Sequence, residues 1–199
     1  MRTHYFYGLL MAFLMAFSLN IKAQPDADTT EYQRSYNNIL QAGFSFGYYG
    51  YGYVGSRVGF TLPVSASYET YFGEHFSGGG FLGYASYKYE DINSFEYGWR
   101  FIDFGVRASY HYLHFFNKVT RAGLDQNKFD FYVSLMLIFE ARNYYSDDTF
   151  YANYYDNDFN VALGPVAGFR YKFSDKFATF FEGGRGTFGY GTIGISYMF

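Results

Sequence analysis

Gly191-Thr-Ile-Gly-Ile-Ser-Tyr-Met-Phe199 is the stretch of the sequence that decides the fold. Small or polar side chains alternate along it with large apolar ones, which are Ile193, Ile195, Tyr197 and Phe199. A period of two predicts a β-strand with one apolar face and one mostly polar face. We expect lipid rather than protein to cover the apolar face, as it does in a transmembrane β-barrel.

The composition favours strands and turns over helices. The chain has 199 residues, of which 26% are aromatic and 23 are glycine, and it contains no cysteine. Aromatic residues favour strands, and glycine favours turns. The length suits a single domain, and the lack of cysteine excludes disulfides and cysteine-ligated metals.

The N-terminal residues have the pattern of a secretory signal peptide. Arg2 precedes an apolar run from Leu9 to Leu19, and the small residue Ala23 follows that run. The run is too short to span a bilayer, which needs about 20 residues. We therefore predict a cleaved signal peptide over residues 1–23, with an uncleaved anchor helix as the alternative. Residues 24–38 are polar and aperiodic, and they are predicted to be a periplasmic lead-in to a barrel over residues 39–199.

The charge of the chain argues against nucleic acid as a partner. The formal net charge is −3. Loss of Arg2 and Lys22 with the signal peptide would make the remainder more acidic, whereas a surface that binds nucleic acid is basic.

Alternation like that of residues 191–199 recurs along the chain and predicts eight strands. It is clearest in the fourth, where Ile102, Phe104 and Val106 alternate with Asp103 and Arg107. We therefore predict an all-β fold, an eight-stranded antiparallel up-and-down transmembrane β-barrel. Its last strand is expected to pair with the seventh strand and with the first, near residues 42–48, and so to close the ring.

The third strand is ambiguous because both of its faces carry apolar side chains. We assign Phe81, Ala85 and Tyr87 to the outward face, and Leu82 and Tyr84 to the inward face. Outward Tyr and Phe side chains near strand ends are expected to form the aromatic girdles of a membrane barrel. The predicted girdle positions are Tyr68, Tyr87, Tyr110, Tyr112, Tyr171, Phe173, Phe177, Tyr197 and Phe199.

An even number of strands places both ends of the barrel on the side from which a secreted chain starts. The tight turns at 73–75 and 174–176 and the connection at 115–128 are therefore predicted to be periplasmic, and the connections near 49, 90, 143 and 185 extracellular. The segment 116–128 is long for an inner turn, and we expect the flanking strands to extend into it. Pro63 and Pro165 fall within predicted strands, and we expect them near the barrel rims.

The inward faces carry charges of both signs. An eight-stranded barrel has an interior just wide enough for its own side chains, and an unpaired charge there would cost several kcal/mol. We therefore predict a paired, hydrogen-bonded filling, with an ion pair between Arg170 and Glu182 diagonally across the turn at 174–176. The predicted interior network is Glu69, Lys88, Asp103, Arg107, Glu140, Arg142, Arg170, Lys172 and Glu182.

The outer connection at 143–158 combines aromatic rings with carboxylates. Such a set is suited to calcium, through hard oxygen ligands, or to a stacked sugar. However, Asp156-x-Asp158-x-Asn160 lacks the glycine and glutamate that a calcium loop requires, so a solvated loop is the favoured interpretation and no metal or cofactor is predicted. The candidate surface contacts are Tyr144, Tyr145, Asp147, Asp148, Tyr154, Tyr155, Asp156 and Asp158.

Three histidines prompt a search for catalysis. His111 shares the predicted inward face of the fourth strand with Ser109, and His75 and His114 lie in or near connections. The sequence alone identifies no serine-centred motif and no carboxylate that would orient a histidine. We therefore expect no enzyme, and a lipid-modifying barrel enzyme is the least favoured hypothesis.

The chain resembles the small outer-membrane β-barrel proteins of Gram-negative bacteria. Within them it is most similar to the porin-like "outer membrane protein β-barrel domain" family, related in architecture to OmpX and the OmpA membrane domain. The resemblance spans residues 39–199. It rests on the terminal strand, on Gly164-Pro-Val-Ala-Gly-Phe-Arg-Tyr-Lys-Phe-Ser-Asp-Lys-Phe177 and on Ala108-Ser-Tyr-His-Tyr112. It implies a signal read by the barrel-assembly machinery, carried by Ile193, Ile195, Tyr197 and Phe199.

The favoured function is structural or surface interaction, exerted by a monomer in the cell outer membrane with both termini in the periplasm. The expected partners are outer-membrane lipid, the barrel-assembly machinery during biogenesis, and an extracellular ligand that the sequence does not identify. A narrow channel or carrier for small or hydrophobic solutes is the alternative.

Overall fold

The computed structural model describes residues 36–48, 56–90, 96–146, 158–186 and 188–199. Within these ranges, eight antiparallel β-strands and one short helix form a closed barrel of up-and-down topology. In chain order the elements are β1 (Asn38–Tyr48), β2 (Ser56–Phe72), β3 (Phe76–Glu90), β4 (Glu96–His111), α1 (Leu113–Thr120), β5 (Phe129–Ser146), β6 (Asp158–Lys172), β7 (Phe177–Gly184) and β8 (Gly189–Met198).

The ring is closed by the pairing of β8 with β1. The register runs from Ile39 opposite Met198 to Tyr48 opposite Gly189, and the other side of β8 pairs with β7. Each described strand therefore has two hydrogen-bonded neighbours, which removes the exposed edges that an open sheet would present. The predicted fold and the predicted closure are both confirmed.

Short connections gather at one end of the barrel, which we name the turn end, and we name the opposite end the loop end. The turn end carries the turns at 73–75 and 173–176 and also α1. The prediction that strands extend into 116–128 is wrong, because Tyr112 leaves the extended conformation (φ −114°, ψ 10°) and α1 follows it. No helix among the described residues has the length and hydropathy needed to cross a membrane.

Side chains alternate between the two surfaces of the barrel wall, and the predicted parity is confirmed for every strand except β3. There Phe81 is 7% exposed and Leu82 is 58% exposed, so the predicted faces are reversed. Directly opposed residues in a sheet share a face. Because Gly79 of β3 lies opposite both Glu69 and Arg107, which point inward, the odd-numbered residues of β3 must point inward too. The predicted outward faces of Ala85 and Tyr87 are therefore also wrong.

The interior is filled in layers along the barrel axis. Among the described residues, three clusters of buried apolar side chains are stacked there, and polar side chains lie between the first cluster and the second. From the turn end to the loop end, the clusters are Tyr36, Ile39, Tyr71, Ala178 and Met198; then Phe81, Met136, Ile138 and Val166; then Ala85, Tyr87, Phe101 and Phe188.

Pro63 and Pro165 lie well inside their strands, so the expectation that they lie near the rims is wrong. Pro63 falls at a register irregularity between Thr61 and Val64 of β2, where no regular ladder bond is lost. The carbonyl of Pro165 accepts a hydrogen bond from the Arg185 N–H (3.0 Å), beyond the last β6–β7 pair. The nitrogen of Pro165, which has no hydrogen to donate, therefore lies where the β6–β7 ladder ends.

Aromatic rings surround the turn end on the outer surface. Ring centroids lie 5.2 Å apart for Phe177 and Tyr197, 5.4 Å for Tyr197 and Phe199, and 6.4 Å for Tyr68 and Phe199. This is the inner of the two predicted girdles. The predicted position Tyr87 is not part of a girdle, because its side chain points into the barrel.

Candidate functional site

The centre of the interior is Arg107 on β4, which joins two carboxylates. Its Nη2 donates to Glu182 Oε1 (2.9 Å) and to Ser134 Oγ (2.8 Å). Its Nε lies 3.2 Å from Glu69 Oε1, an ion pair without an aligned hydrogen bond. Glu69 and Arg107 both lie opposite Gly79, so no side chain separates them. Because an isolated buried charge costs several kcal/mol, the shared guanidinium is what allows both carboxylates to be buried.

A second glycine allows Tyr132 on β5 to reach Glu182 on β7. Gly168 of β6 lies opposite both of them, and the Tyr132 hydroxyl donates to Glu182 Oε1 (2.9 Å). A Cβ added to Gly168 would lie 2.2 Å from the Tyr132 ring. Glycine at this position therefore leaves room for the phenol that spans the strand between the two partners.

Another ionic centre lies nearer the turn end. Asp130 is directly opposite Arg170 in the β5–β6 register, and its Oδ2 accepts a hydrogen bond from Arg170 Nη1. Its Oδ1 lies 2.9 Å from His111 Nδ1. The fully buried Arg170 also donates through Nε to Ser196 Oγ (3.3 Å) and lies 4.7 Å from the centre of the Tyr132 ring. Asp130 thus supplies the counter-charge for a guanidinium that has no access to water.

Ser77, His111 and Asp130 follow one another in the order of a serine hydrolase. Ser77 Oγ lies 3.0 Å from His111 Nε2, and His111 Nδ1 lies 2.9 Å from Asp130 Oδ1. The same serine hydroxyl donates to Glu69 Oε2 (2.7 Å). A carboxylate in that place would repel a developing oxyanion instead of stabilising it. The side chain of Ser77 is also enclosed, since the residue is 2% exposed.

Sequence reasoning missed three members of this network, Ser77, Asp130 and Tyr132. Asp130 and Tyr132 have the same parity as Glu140, which is predicted to lie in the interior, so a fifth strand that starts at Phe129 would have revealed both. Ser77 was missed because the predicted inward and outward faces of β3 were reversed. His75 and His114 lie outside the interior at the turn end, where their rings stack at 6.2 Å.

Nearer the loop end, Asp103 is buried without a hydrogen-bond partner. It is 0% exposed, and neither of its carboxylate oxygens makes a hydrogen bond in the described part of the chain. The residue opposite it on β5 is Glu140, another acid, whose own partner is Arg142. Asp103 therefore carries the cost of burial with no hydrogen bond to offset it.

The predicted pair of Arg170 and Glu182 does not form. Both side chains point inward as predicted, but Arg170 binds Asp130 and Glu182 binds Arg107. Arg170 pairs with Asp130 because Asp130 lies directly opposite it, whereas Glu182 lies diagonally across. A direct cross-strand pair has the shorter separation.

Lys88 does not belong to the interior network to which it was assigned. Because the faces of β3 are reversed, Lys88 points outward, where it forms an ion pair with Glu96 near the loop end. The structure places the other predicted members inside the barrel: Glu69, Asp103, Arg107, Glu140, Arg142, Arg170, Lys172 and Glu182.

The predicted outer connection at 143–158 is shorter than expected, because β5 runs to Ser146 and β6 starts at Asp158. Tyr144 lies on the inward face, and its ring centroid is 5.0 Å from that of Trp99. Tyr145 lies on the outward face, under the guanidinium of Arg100 at 4.7 Å. Asp158 begins a strand and is exposed. The remaining candidates fall outside the described residues, namely Asp147, Asp148, Tyr154, Tyr155 and Asp156.

The side chains assigned to the assembly signal form an apolar row on the outer surface of β8. Ile193, Ile195 and Phe199 are exposed, and Tyr197 is half-buried between neighbouring rings. Their role as a signal remains a prediction.

The outer surface and the interior together define the class of protein. Large apolar side chains are exposed on all eight strands, while charged side chains are buried within, which is the reverse of a water-soluble barrel and the pattern of a transmembrane one. This chain is an eight-stranded transmembrane β-barrel of the outer-membrane type. Representative exposed residues, one from each strand, are Phe44, Leu62, Leu82, Val106, Leu135, Leu163, Phe181 and Ile195.

Solved structures of outer-membrane proteins are similar to this chain. Ail of Yersinia pestis, in complex with the heparin analogue sucrose octasulfate, is 10% identical, with 81% of this chain and 94% of that chain covered and a TM-score of 0.45. OprG from Pseudomonas aeruginosa is 11% identical, with 83% and 97% covered and a TM-score of 0.48. No protein-family model and no curated protein matches the sequence.

Proposed function

We propose that the protein is a monomeric, non-enzymatic barrel of the bacterial outer membrane, with a closed interior and a structural or surface-interaction role exerted through its loop end. The observation that carries the proposal is the sharing of Arg107 between Glu69 and Glu182 across the lumen. A water-filled channel needs an open lumen, and this ion triad occupies the middle of it.

The packing around the triad supports a closed lumen. A cavity of about 20 Å³ lies beside Arg107 and is lined by Gln41, Phe81, Phe180 and Thr192 among others. A buried water needs about 10–15 Å³, so the cavity has room for one. Passage of a solute would require several packed side chains to move together.

Planar-bilayer recording tests the closed interior. The refolded protein is expected to give no conductance steps at either polarity. A double variant, Arg107→Ala with Tyr132→Ala, removes two large central side chains and serves as a positive control for a lumen that conducts. Stable openings of the wild-type protein would overturn the closed lumen in favour of a narrow channel or carrier.

The proposed orientation places the turn end in the periplasm and the loop end outside the cell. Because the chain has no cysteine, single cysteines report sidedness without background. Asp148→Cys is expected to react with a membrane-impermeant maleimide on intact cells. Asp175→Cys, in the turn at 173–176, should react only after the outer membrane is permeabilised, and the opposite pattern would reverse the orientation.

The non-enzymatic assignment rests on the enclosure of Ser77 and on its hydrogen bond to Glu69. Mass analysis of lipid A and phospholipids from cells with and without the protein is expected to show no difference. A difference that disappears in Ser77→Ala would make the Ser77, His111 and Asp130 arrangement catalytic and would refute the assignment.

We also propose that the outward row on β8 is needed for assembly. Phe199→Ser is expected to lower the amount of folded protein in the outer membrane while export to the periplasm continues, as measured by membrane fractionation. Phe173→Ser is the matched control, because Phe173 is also an exposed aromatic residue at the turn end. Equal effects of the two substitutions would show that Phe199 carries no special signal.

A surface role is supported by aromatic side chains on the inward faces of the strands at the loop end, where they cover the buried cluster of Ala85, Tyr87, Phe101 and Phe188. Besides the contact of Trp99 with Tyr144, the rings of Tyr89 and Tyr97 stack at 5.6 Å. Rings are suited to stacking on sugars or on other rings. Binding of nanodisc-embedded protein to a glycan and peptide array is expected to fall with Trp99→Ala. Unchanged binding would show that Trp99 does not contribute to the contact.

A further inference from the structure

The connection between β4 and β5 is an amphipathic helix and not an extended strand or a simple turn. Its apolar side chains follow the spacing i, i+3, i+4 and i+7, at Tyr112, Phe115, Phe116 and Val119. This spacing places all four on one face of a helix. Lys118 follows Phe115 by three residues and lies at the margin of the stripe, from which its long side chain can extend to headgroup level.

Contacts place this stripe beside the lipid-facing surface of the barrel. The Phe116 ring lies 5.5 Å from that of Phe131, and the Tyr112 ring lies 6.1 Å from it. Phe131 belongs to the outward face of β5, and its ring in turn lies 5.2 Å from that of Phe169 on the outward face of β6. The apolar stripe of α1 is therefore continuous with the apolar belt that defines the membrane-spanning surface.

The other half of the stripe is not covered by the described part of the chain. Phe115 is 60% exposed and Val119 is 65% exposed, whereas Leu113 at the margin of the stripe is buried. Leu113 thus anchors the helix to the barrel, and Phe115 and Val119 project away from it. Two large apolar side chains exposed beside a lipid-facing belt are in the position of an interfacial anchor.

The segment after α1 holds its shape through hydrogen bonds. Asn117 Nδ2 donates to the Leu124 carbonyl (2.8 Å), and the Leu124 N–H donates back to Asn117 Oδ1 (3.0 Å). The Arg121 N–H donates to the Asn117 carbonyl (2.9 Å), with Arg121 in the left-handed conformation at φ 55°. The helix is therefore presented by an ordered connection at a fixed place on the rim.

The charge of the connection is mainly basic. Lys118, Arg121 and Lys128 are exposed along it, and the one acidic residue from Leu113 to Lys128 is Asp125, whose Oδ1 accepts a hydrogen bond from the Asn127 N–H. Basic side chains next to a membrane surface attract anionic headgroups. Apolar insertion and basic charge together fit a phospholipid leaflet better than they fit water.

We propose that α1 is an interfacial anchor that inserts Phe115 and Val119 among the acyl chains of the leaflet at the turn end and binds anionic phospholipid headgroups through Lys118 and Arg121. The inference rests on the proposed function in one respect, namely that the barrel is inserted in a membrane. It accounts for the length of a connection that is unexpected in a turn of a small barrel.

Fluorescence of a single indole tests the insertion. Trp99 is the only tryptophan, so Trp99→Phe combined with Phe115→Trp leaves one reporter on α1. In vesicles of phosphatidylcholine with phosphatidylglycerol, brominated acyl chains are expected to quench this indole, and aqueous iodide to have little effect. Quenching by iodide alone would overturn the anchor, and so would protection from both quenchers, which would indicate a second protein copy or another protein on the stripe.

Energy transfer from the same indole to labelled lipids tests the headgroup preference. We expect labelled phosphatidylglycerol to be enriched over labelled phosphatidylcholine by about fivefold per basic side chain, which corresponds to about 1 kcal/mol each. Lys118→Gln with Arg121→Gln should abolish the enrichment, whereas Lys176→Gln in the turn at 173–176 should leave it unchanged. Equal transfer to the two lipids in the unmodified connection would overturn the basic half of the proposal.

A reporter in the middle of the belt separates this inference from the proposed function. Leu135 is exposed on the outward face of β5, so Trp99→Phe with Leu135→Trp reports insertion of the barrel itself. If brominated chains quench neither indole, the transmembrane barrel is refuted. If they quench only the indole that replaces Leu135, the barrel stands and the anchor is refuted.

Discussion

The two halves of the barrel interior are filled by different chemistry. Towards the turn end, buried charges share partners, as Arg107 does with Glu69 and Glu182. Towards the loop end the filling is largely aromatic, and Asp103 is buried with no partner for either oxygen. The strands and their closure are common to both halves, so the difference lies in the side chains alone. A charged side chain inside a small barrel is therefore stabilising only when it has a partner. Removing a paired charge near the turn end should lower the stability of the barrel, and removing an unpaired acid near the loop end should raise it.

The largest effect is expected where one cation serves two anions. Arg107→Met leaves Glu69 and Glu182 buried without their shared partner, and we expect a loss of about 3–5 kcal/mol in the free energy of unfolding. Urea unfolding in lipid vesicles measures it. Arg100→Met is the matched control on the same strand, because Arg100 is exposed and its stacking on Tyr145 is worth about 1 kcal/mol. Similar losses in both variants would show that the triad does not stabilise the barrel.

The second largest effect is expected for the ion pair of Asp130 with Arg170, which forms in place of the predicted pair of Arg170 with Glu182. Asp130→Asn leaves the fully buried Arg170 with hydrogen bonds but without its directly paired carboxylate, and the expected loss is about 2–3 kcal/mol. A double-mutant cycle between Asp130→Asn and Arg170→Met should give a coupling of about 1–3 kcal/mol. The corresponding cycle between Glu182→Gln and Arg170→Met should be close to additive, and a larger coupling there would restore the diagonal pair.

The third effect has the opposite sign. Asp103→Asn removes a buried carboxyl group that makes no hydrogen bond while keeping the shape of the side chain, and we expect a gain of about 1–2 kcal/mol in the free energy of unfolding. Asp158→Asn is the control, since that carboxylate is exposed and should change stability by less than about 0.5 kcal/mol. Destabilisation by Asp103→Asn would contradict the comparison between the two halves, because it would mean that the carboxylate is satisfied.

The faces of the strands could be predicted from sequence wherever the two faces differ in chemistry. β4 alternates large apolar residues with Asp103 and Arg107, so its parity is plain. Phe81 and Leu82 of β3 are both apolar, and the pattern there contains no information about which points inward. The missing information is the register, because Gly79 shares a face with its opposite neighbours on β2 and β4.

The partners of the buried charges could not be predicted for the same reason. Across the short turn at 173–176 the register follows from the sequence, which is why Arg170 and Glu182 were correctly placed as diagonal neighbours. Asp130 is joined to Arg170 through the far end of β5 and a long connection, so their direct opposition depends on a register that no short turn sets. Distant glycines carry part of this information, since Gly168 leaves room for Tyr132 to reach Glu182.

The smallest effect is expected for Glu140, which has an ion-pair partner, as the charges near the turn end do, and lies beside the unpaired Asp103 near the loop end. Its ion pair with Arg142 is about one-fifth exposed, so screening by solvent reduces its value. Glu140 also lies opposite Asp103, and its charge raises the cost of burying that carboxylate. Glu140→Gln removes a weak attraction and a repulsion together, and we expect a net change within about 0.5 kcal/mol of zero in urea unfolding. In an Asp103→Asn background the repulsion is absent, so the same Glu140→Gln substitution should become destabilising. Equal effects in the two backgrounds would show that the two acids do not interact, so that Glu140 does not add to the cost of burying Asp103.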